Sequence, residues 1–376
     1  MAAAATVGDG VVRCVAVLGA GHGGCAAAAD LMLRGFRVRL HARSAARLAP
    51  LVARGGIDAH GVQTGFVTPE VMTTDLAEAV DNADLIMLVV PSVAHSTYAA
   101  GLASLLDGRV PVMLNPGHTG GGLHFLADLR KAGYPGELPL CETVSLTYIT
   151  RMEGPATVGI YSYAKKLRFA ALPASRTAEL YALVKPLYPG IQAAENALES
   201  ALGNVNAVFH PPGMLMNAGW IESTGGDFLF YNQGITPAVA RVTDAVDAER
   251  MVVAKALGVP AIPFLQTFFE FGATTAAAYA SGDIARACRE SAPNATIKSP
   301  RSLDDRYIHE DVGTGLVPMA ALGRLAGVAT PTMDALIHLA SLSLGIDFSR
   351  TGLTLEKLGI AGMTPAQLLR FVEETA

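Results

Sequence analysis

One histidine interrupts an apolar stretch of the chain, NVNAVFHPPGMLMNAGW at residues 204–220. This residue, His210, is followed directly by two prolines. An imidazole in such a setting is either a buried structural group or a proton carrier, because histidine titrates near neutral pH. A proton carrier needs a carboxylate that orients the ring and stabilises its charged form.

Carboxylates cluster in a second segment, DDRYIHEDVGTGLVP at residues 304–318. An acid from this segment would suit His210 as an orienting partner, and the pattern alone leaves four choices open. They are Asp304, Asp305, Glu310 and Asp311. Arg306 carries a planar guanidinium suited to bidentate binding of a substrate carboxylate. The alternative interpretation of this charged run is a solvated loop.

A glycine-rich turn indicates a second kind of chemistry. The order is strand RCVAVL (13–18), turn GAGHGG (19–24), helix CAAAADLMLRG and strand FRVRLH (36–41). In such a GxGxxG turn Gly19 permits the bend, Gly21 lets the backbone approach a pyrophosphate, and Gly24 lets helix and strand pack closely. The free N–H groups of the helix N-terminus then face the phosphates. The predicted dinucleotide contacts are Gly19, Gly21, His22, Gly23 and Gly24.

The end of the second strand bears on which dinucleotide is bound. A site for NAD usually has an acid about 20 residues beyond the glycines, where it binds the ribose hydroxyls. The corresponding stretch here, HARS at 41–44, has no acid. Arg43 would pair with a 2′-phosphate and Ser44 would donate to it, which favours NADP. Alternatively, Arg43 stacks on the adenine and NAD is accepted as well.

Loops at the carboxyl ends of further predicted strands are expected near the nicotinamide, as in other open α/β sheets. These loops follow LIMLVV (85–90) and VPVML, and the second contains NPGHTGGG. Apolar runs at 138–148 and 157–162 are expected to complete the sheet. The predicted contacts are Pro91, Ser92 and Gly117 for the cofactor, and Asn115 and Thr143 for the substrate.

The elements that position these residues fall into two predicted domains, an α/β dinucleotide-binding domain over 1–192 and an all-helical domain over 193–376. The helical half is clearest at TPAVARVTDAVDAERMVVAKALGVP (236–260), where Thr236 suits the N-cap and Pro237 the first helical position. The same Thr-Pro opening recurs at residues 330 and 364.

Composition excludes several classes of protein. Hydrophobic residues make up 51% and charged residues 16%, with a net charge of −5, so a large core is possible and a nucleic-acid surface is not indicated. No apolar run approaches the roughly 20 residues of a spanning helix. The N-terminus lacks the basic and apolar regions of a secretory signal. The four scattered cysteines predict reduced, mostly buried thiols in a cytoplasmic protein, with no metal site.

Taken together, these segments resemble the opine dehydrogenases of the octopine/nopaline type. The resemblance rests on VLGAGHGGCAAAADLMLRG, NPGHTGG, ETVSLTY, NVNAVFHPPGMLMNAG, ARVTDAVDAERMVVAKALG and RYIHEDVGTGLVP. It implies a Rossmann-type domain followed by an all-helical domain, with the active site in the cleft between them. It also implies reductive condensation of an amino acid with a 2-oxo acid, commonly pyruvate, by NADH or NADPH, in a homodimer.

The resemblance assigns roles to three residues. The catalytic His–Asp dyad falls on His210 and Asp311, and the arginine that binds a substrate carboxylate falls on Arg306. His210 would deprotonate the ammonium group and then protonate the departing hydroxyl as the imine forms.

Two alternative functions stay open at this point. One is a 2-oxo reductase like ketopantoate reductase or glycerol-3-phosphate dehydrogenase, which share GVATPTMDALI but use a lysine acid. The lysines of the helical half are Lys255, Lys298 and Lys357. The other alternative is a non-catalytic NADP-sensing protein.

Overall fold

The computed structural model describes residues 11–375. Within this range the chain divides into two compact units, one formed by 11–117, 121–197 and the last residues from 373, the other by 118–120 and 198–372. The change of unit at 197/198 lies a few residues beyond the boundary predicted at 192/193. The first ten residues, which contribute to the prediction of no secretory signal, lie outside the described range.

The first unit is built from twelve strands in the part of the chain that the structure describes. Their bounds are β1 Cys14–Leu18, β2 Arg37–His41, β3 Ile57–Gly61, β4 Gly65–Val67, β5 Val71–Thr73, β6 Leu85–Leu88, β7 Val112–Leu114, β8 Leu140–Thr143, β9 Tyr148–Met152, β10 Thr157–Tyr163, β11 Leu167–Leu172 and β12 Ile191–Ala193.

The larger sheet of this unit has the order β12-β11-β8-β7-β6-β1-β2-β5. Its neighbours pair in parallel except β11 and β8, which are antiparallel. The fully buried strand β1 lies between β2 and β6, so the order of parallel strands reverses there. Ligands of open α/β sheets bind at such a reversal, and the glycine turn follows β1 directly.

Seven helices begin within the described part of this unit. They are α1 His22–Leu33, α2 Ala45–Arg54, α3 Leu76–Val80, α4 His95–Leu102, α5 Gly121–Lys131, α6 Thr177–Val184 and α7 Ala197–Leu202, with 3₁₀ turns at Ser92–Ala94 and Ala174–Arg176.

A smaller sheet, in the order β4-β3-β10-β9, corrects one prediction. The apolar run at 157–162 forms β10, which pairs with β3 and β9 instead of completing the main sheet. Helix α1 packs against strands of both sheets. Its residues Gly24–Leu31 are all buried, and four of them are consecutive alanines whose small side chains allow contact on every side.

The second unit is helical. Its helices are α8 Asn206–Leu215, α9 Ala218–Thr224, α10 Pro237–Ala256, α11 Phe264–Glu270, α12 Ala276–Ala280, α13 Ile284–Arg289, α14 Arg306–His309, α15 Val317–Leu325, α16 Pro331–Leu344, α17 Phe348–Thr351 and α18 Pro365–Arg370. A 3₁₀ turn at Ala292–Asn294 and π-helical turns at Phe230–Gly234, Val312–Leu316 and Phe371–Thr375 complete the order. The predicted fold class, a Rossmann-type α/β domain followed by an all-α domain, is confirmed.

The three Thr-Pro helix starts are capped in different ways. Thr236 accepts a hydrogen bond from the Val239 N–H, and Thr364 forms a reciprocal capping box with Gln367. The Thr330 hydroxyl accepts from no backbone N–H of its own helix, although it donates to the Asp334 carboxylate at 3.5 Å. There the carboxylate of Glu249, on α10, accepts from the N–H groups of Thr332 and Met333 at 2.6 and 3.0 Å.

Two further observations concern the chain as a whole. All four cysteines are free and buried, which agrees with the prediction of reduced thiols. Across residues 11–375, no helix combines the length and the apolar character needed to cross a membrane.

Candidate active site

The glycine turn has the geometry that its sequence predicts. Gly19 has φ +128°, and a Cβ on it would lie 2.3 Å from the Val89 carbonyl oxygen. A Cβ on Gly24 would lie 1.7 Å from the carbonyl oxygen of Gly19, so the first turn of α1 packs directly on the bend. A Cβ on Gly21 would meet no atom within 4 Å. The backbone at Gly21 is therefore open to a ligand.

The start of α1 is suited to binding an anion. Its N-cap, Gly21, brings no side-chain cap, and the first turn carries no acid. The exposed His22 ring accepts a hydrogen bond at Nδ1 from the Met152 N–H, at 2.7 Å. Gly23 has close neighbours, since a Cβ there would lie 2.9 Å from a methyl carbon of Leu146. Free N–H groups and the helix dipole favour phosphate at this position.

A cavity of about 420 Å³ lies beside this turn. It is lined by Ala20 of the turn, by Ser44 and Arg47 at the start of α2, and by Met152 and Pro155. Ser44 caps α2 without a side-chain bond, and the first turn of α2 carries no acid. This corner therefore combines a hydroxyl, a guanidinium and free helix N–H groups, a set suited to a second phosphate.

Arg43 does not line the cavity. It is exposed, and its Nη1 lies 3.5 Å from the Thr97 hydroxyl. Arg47 is a residue that the sequence analysis missed. The sequence could have indicated this residue, because Arg47 lies in the first turn of the helix that begins directly after HARS, and such a turn can face a phosphate.

The loops after β6 and β7 contain the other predicted contacts. Pro91 is exposed and Ser92, buried, begins a 3₁₀ turn. Gly117 donates its N–H to the Thr143 carbonyl, and a Cβ on it would lie 2.2 Å from a carboxylate oxygen of Glu142. A larger residue at position 117 would collide with Glu142, so close packing requires glycine there.

Asn115 and Thr143, the two residues predicted to contact the substrate, are bonded to each other. Both are fully buried. The Asn115 oxygen accepts from the Thr143 hydroxyl and from the Thr147 N–H, each at 3.2 Å, and its amide donates to the Thr147 hydroxyl at 2.9 Å. These bonds hold the strand ends in place, and direct substrate contact by Asn115 and Thr143 stays a prediction.

His210 and Asp311 are brought together in the second unit. His210 lies on α8, and Asp311 directly precedes the π-helical turn at Val312–Leu316. The imidazole Nδ1 lies 2.7 Å from Asp311 Oδ2, and both side chains are buried. Nδ1 donates to the carboxylate, so the lone pair of the neutral ring is on Nε2.

The other three candidate acids have different partners. Asp304 pairs with His309 at 2.6 Å, and Asp305 caps α14 by accepting from the Tyr307 N–H at 3.0 Å. Glu310 pairs with Arg306 at 3.1 Å. Geometry therefore separates four acids that the residue pattern alone left equivalent, and the acid beside His210 is the one that the family resemblance implied.

Two tyrosines complete the surroundings of His210. The Tyr231 hydroxyl lies 3.2 Å from Nε2, and the Tyr307 ring stacks on the imidazole with centroids 3.8 Å apart. Burial raises the pKa of Tyr231 well above its usual value, so its hydroxyl stays protonated and donates to the neutral ring. No partner role was predicted for either tyrosine. The π-helical turn that contains Tyr231 is a kind often found at functional sites, but it leaves no pattern in sequence.

The cationic side chains of the helical half that were considered in the sequence analysis, Arg306 and three lysines, are more exposed than His210. The Arg306 side chain is 56% exposed while its partner Glu310 is 4% exposed, so the guanidinium is anchored and accessible. Lys298 pairs with Asp227 at the surface, Lys357 donates to the Thr351 carbonyl, and Lys255 is exposed on α10. The histidine, unlike these lysines, is enclosed with a carboxylate as a proton carrier requires.

Comparisons with known proteins agree with this chemistry. Residues 193–344 match the family described as NAD/NADP octopine/nopaline dehydrogenase, alpha-helical domain, and residues 14–129 match NAD-dependent glycerol-3-phosphate dehydrogenase N-terminus. The opine dehydrogenase of Arthrobacter sp. (strain 1C) is 40% identical over 95% of this chain and 98% of its own length. The chain belongs to the opine dehydrogenase family.

Solved structures show that the fold of this opine dehydrogenase is shared. Octopine dehydrogenase with NADH and L-arginine matches with a TM-score of 0.74 and 20% identity, over 96% of this chain and 98% of that chain. Yersinopine dehydrogenase with NADP⁺ bound matches with a TM-score of 0.69 and 17% identity, over 97% and 99%.

These findings confirm the predicted family and activity. The protein is an NAD(P)H-dependent opine dehydrogenase, an oxidoreductase that acts on CH–NH bonds. The open backbone at Gly21, the uncapped start of α1 and the adjoining cavity fit a dinucleotide. The two alternative functions, a simple 2-oxo reductase and a cofactor sensor, are not supported.

Proposed function

We propose that His210 and Asp311 carry the proton transfers of a reductive condensation between an amino acid and a 2-oxo acid, with pyruvate as the oxo acid. The observation that carries this proposal is the 2.7 Å bond between the imidazole Nδ1 and the Asp311 carboxylate. It fixes the tautomer with a basic Nε2, and the carboxylate stabilises the imidazolium that forms when Nε2 takes a proton.

The condensation requires the same imidazole twice. Nε2 first accepts a proton from the substrate ammonium group, and the free amine then attacks the carbonyl carbon of the oxo acid. The resulting carbinolamine loses its hydroxyl as water when the imidazolium returns the proton to that oxygen, which gives the protonated imine. When bound, the nicotinamide supplies the hydride that reduces the imine carbon.

The neighbours of His210 support these steps. Tyr231 donates to Nε2 in the structure, so it holds the ring in position until an ammonium group replaces that bond. Stacked Tyr307 covers one face of the imidazole and limits its rotation. Arg306 binds a substrate carboxylate through its exposed guanidinium, which Glu310 holds from the buried side.

For the cofactor, we propose a preference for NADPH. Ser44 and Arg47 line the cavity beside the glycine turn, and HARS contains no acid that would bind ribose hydroxyls. Arg43 is placed outside the cavity lining, so it contributes less to this preference than Arg47 does.

We further propose a homodimer located in the cytoplasm. Free, buried thiols suit a reducing compartment. Exposed apolar side chains on α16, Leu339 at 51% and Leu342 at 67%, suit a contact between subunits.

Replacement of the dyad tests the proposed proton transfer. His210→Ala is expected to lower turnover about 10²–10⁴-fold, since that is the usual contribution of a positioned acid–base group. Asp311→Asn is expected to lower it within the same range, because the amide no longer stabilises the imidazolium. Turnover is measured from NADPH absorbance with saturating substrates.

Controls separate a lost proton carrier from a lost fold. NADPH binding, followed by fluorescence, is expected to survive in both variants, because the glycine turn belongs to the other unit. His338→Ala, at an exposed histidine of α16, serves as the matched control and is expected to leave turnover unchanged. Undiminished turnover in His210→Ala would remove this residue from the mechanism.

A further inference from the structure

A second buried histidine, His118, lies against the same segment as the dyad. Residues 118–120 belong to the helical unit, although the chain on either side of them belongs to the other. Thr119 is fixed there because its hydroxyl accepts from the Asn204 amide at 3.0 Å, with both residues buried. His118 itself has φ +57°, a conformation that non-glycine residues rarely adopt and that is often found at functional sites.

His118 is the buried end of a row of three charged groups. Its Nε2 lies 3.4 Å from one carboxylate oxygen of Glu310, and the other oxygen of Glu310 lies 3.1 Å from Arg306 Nη1. The His118 and Glu310 side chains are 6% and 4% exposed, whereas that of Arg306 is 56% exposed. The Nδ1 of His118 bonds no protein atom in the described part of the chain, so Glu310 is the partner that holds the ring.

The charge of this row depends on His118. Without a proton on the imidazole, Arg306 and Glu310 form a neutral pair, and Arg306 has its charge compensated before any substrate arrives. With the proton, the row carries a net charge of +1, which an incoming carboxylate on Arg306 balances. Such charges interact strongly because two of the three groups are withdrawn from water.

We propose that His118 is a positioning residue of this enzyme, which shares the charge of Glu310 and thereby leaves Arg306 able to bind a substrate carboxylate. The inference rests on the proposed role of Arg306. It gives a role to the histidine of the NPGHTGG segment, for which the sequence analysis made no prediction.

The charged groups that face His118 determine when the row is charged. Burial opposes the charge on the imidazole, but the nearby carboxylates of Glu310 and Asp311 outweigh burial and the repulsion from Arg306, and they raise the pKa of His118 above 6.5. A raised pKa means that the proton is present at low pH and is lost as the pH rises through the folded-state value. KM for the substrate bound by Arg306 is therefore expected to increase as the pH rises through this raised pKa.

The test compares His118→Gln, Arg306→Gln and the double variant by steady-state kinetics over a range of pH. Glutamine keeps a hydrogen-bond donor for Glu310 but carries no charge. His118→Gln is expected to raise KM of one substrate, pyruvate or the amino acid, about tenfold at low pH and to abolish the pH dependence of that KM. Its kcat is expected to change much less. His309→Gln is the matched control, since His309 lies on the same helix as Arg306 but pairs with Asp304.

The double variant decides whether His118 acts through Arg306. If it does, the KM of the double variant equals that of Arg306→Gln alone; multiplied losses would overturn the inference. An unchanged pH dependence of KM in His118→Gln would overturn it as well. If Arg306→Gln itself leaves both KM values unchanged, the proposed carboxylate site fails instead. Glu310→Gln removes the connecting carboxylate and is expected to abolish the same pH dependence, so it replaces His118→Gln should that variant not fold.

Discussion

At the scale of single residues, the site contains side chains that are held in place and side chains that are left accessible. His210 and Asp311 are buried and bonded to each other, as a proton carrier with a fixed tautomer requires. The guanidinium groups of Arg306 and Arg47 are accessible, as groups that bind ligand anions must be. Burial thus separates the residues proposed for chemistry from those proposed for binding.

The cofactor proposal leads to a prediction about two arginines. Arg47→Ala is expected to raise KM for NADPH about tenfold to a hundredfold, since a charge-assisted hydrogen bond is worth about 1.5–3 kcal/mol. KM for NADH is expected to change little. Arg43→Ala is expected to have a smaller effect on NADPH, because Arg43 does not line the cavity.

The same kinetic comparison includes a control on the same helix. Arg54→Ala removes a guanidinium from the far end of α2, where it pairs with Asp58, and is expected to alter neither KM. Equal losses with NADPH and NADH in Arg47→Ala would refute a contact with the 2′-phosphate.

Some features of single residues could be predicted from the sequence, and others could not. The bend at Gly19 and the close packing at Gly24 were predictable because backbone geometry restricts glycine turns strongly. The residue pattern alone did not distinguish Asp311 among four acids, since the pairing depends on how α8 and the segment around Asp311 pack together; only the resemblance to the opine dehydrogenases pointed to Asp311. For Asn115 and Thr143 the sequence could not show that they bond each other, because a polar residue at a strand end can face a ligand, hold the loop, or do both.

At the scale of elements, one helix start depends on a residue distant in sequence. Glu249 accepts hydrogen bonds from the first N–H groups of α16 in place of a cap by Thr330. Glu249→Ala is expected to destabilise the helical unit by about 0.5–2 kcal/mol, the usual contribution of a cap. The measurement is the thermal unfolding temperature, which should fall by several degrees at most.

A matched variant tests whether the loss is specific to the cap. Glu222→Ala removes an exposed glutamate from α9 and is expected to change the free energy of unfolding by no more than about 0.5 kcal/mol. Equal shifts in the two variants would show that Glu249 has no special role at the start of α16.

Some helices and strands could be located from the sequence, whereas strand pairing and π-helical turns could not. Strands β1, β2, β6 and β7 were recognisable from apolar runs with turn signals, and α10 from its Thr-Pro start. The run that forms β10 was placed in the wrong sheet, because an apolar pattern shows that a strand is buried but not which strand it pairs with. The π-helical turns beside Tyr231 and Asp311 had no distinguishing pattern.

At the scale of the whole molecule, each unit contains one group of the residues proposed for the reaction. The α/β unit contains the glycine turn and its cavity, and the helical unit contains the dyad, Arg306 and His118. Hydrophobic and helical periodicity predicted this division, but not that residues 118–120 would belong to the second unit. That short segment follows from tertiary contacts, which no local pattern records.

The measurement that tests the central claim most directly is NADPH oxidation with pyruvate and a panel of amino acids, each component omitted in turn. The proposed condensation predicts oxidation only when an amino acid and the oxo acid are both present, with the amino acid identified by the fastest rate. Equal oxidation with pyruvate alone would contradict it, because hydride would then reduce the oxo acid itself and His210 would have no ammonium group to deprotonate.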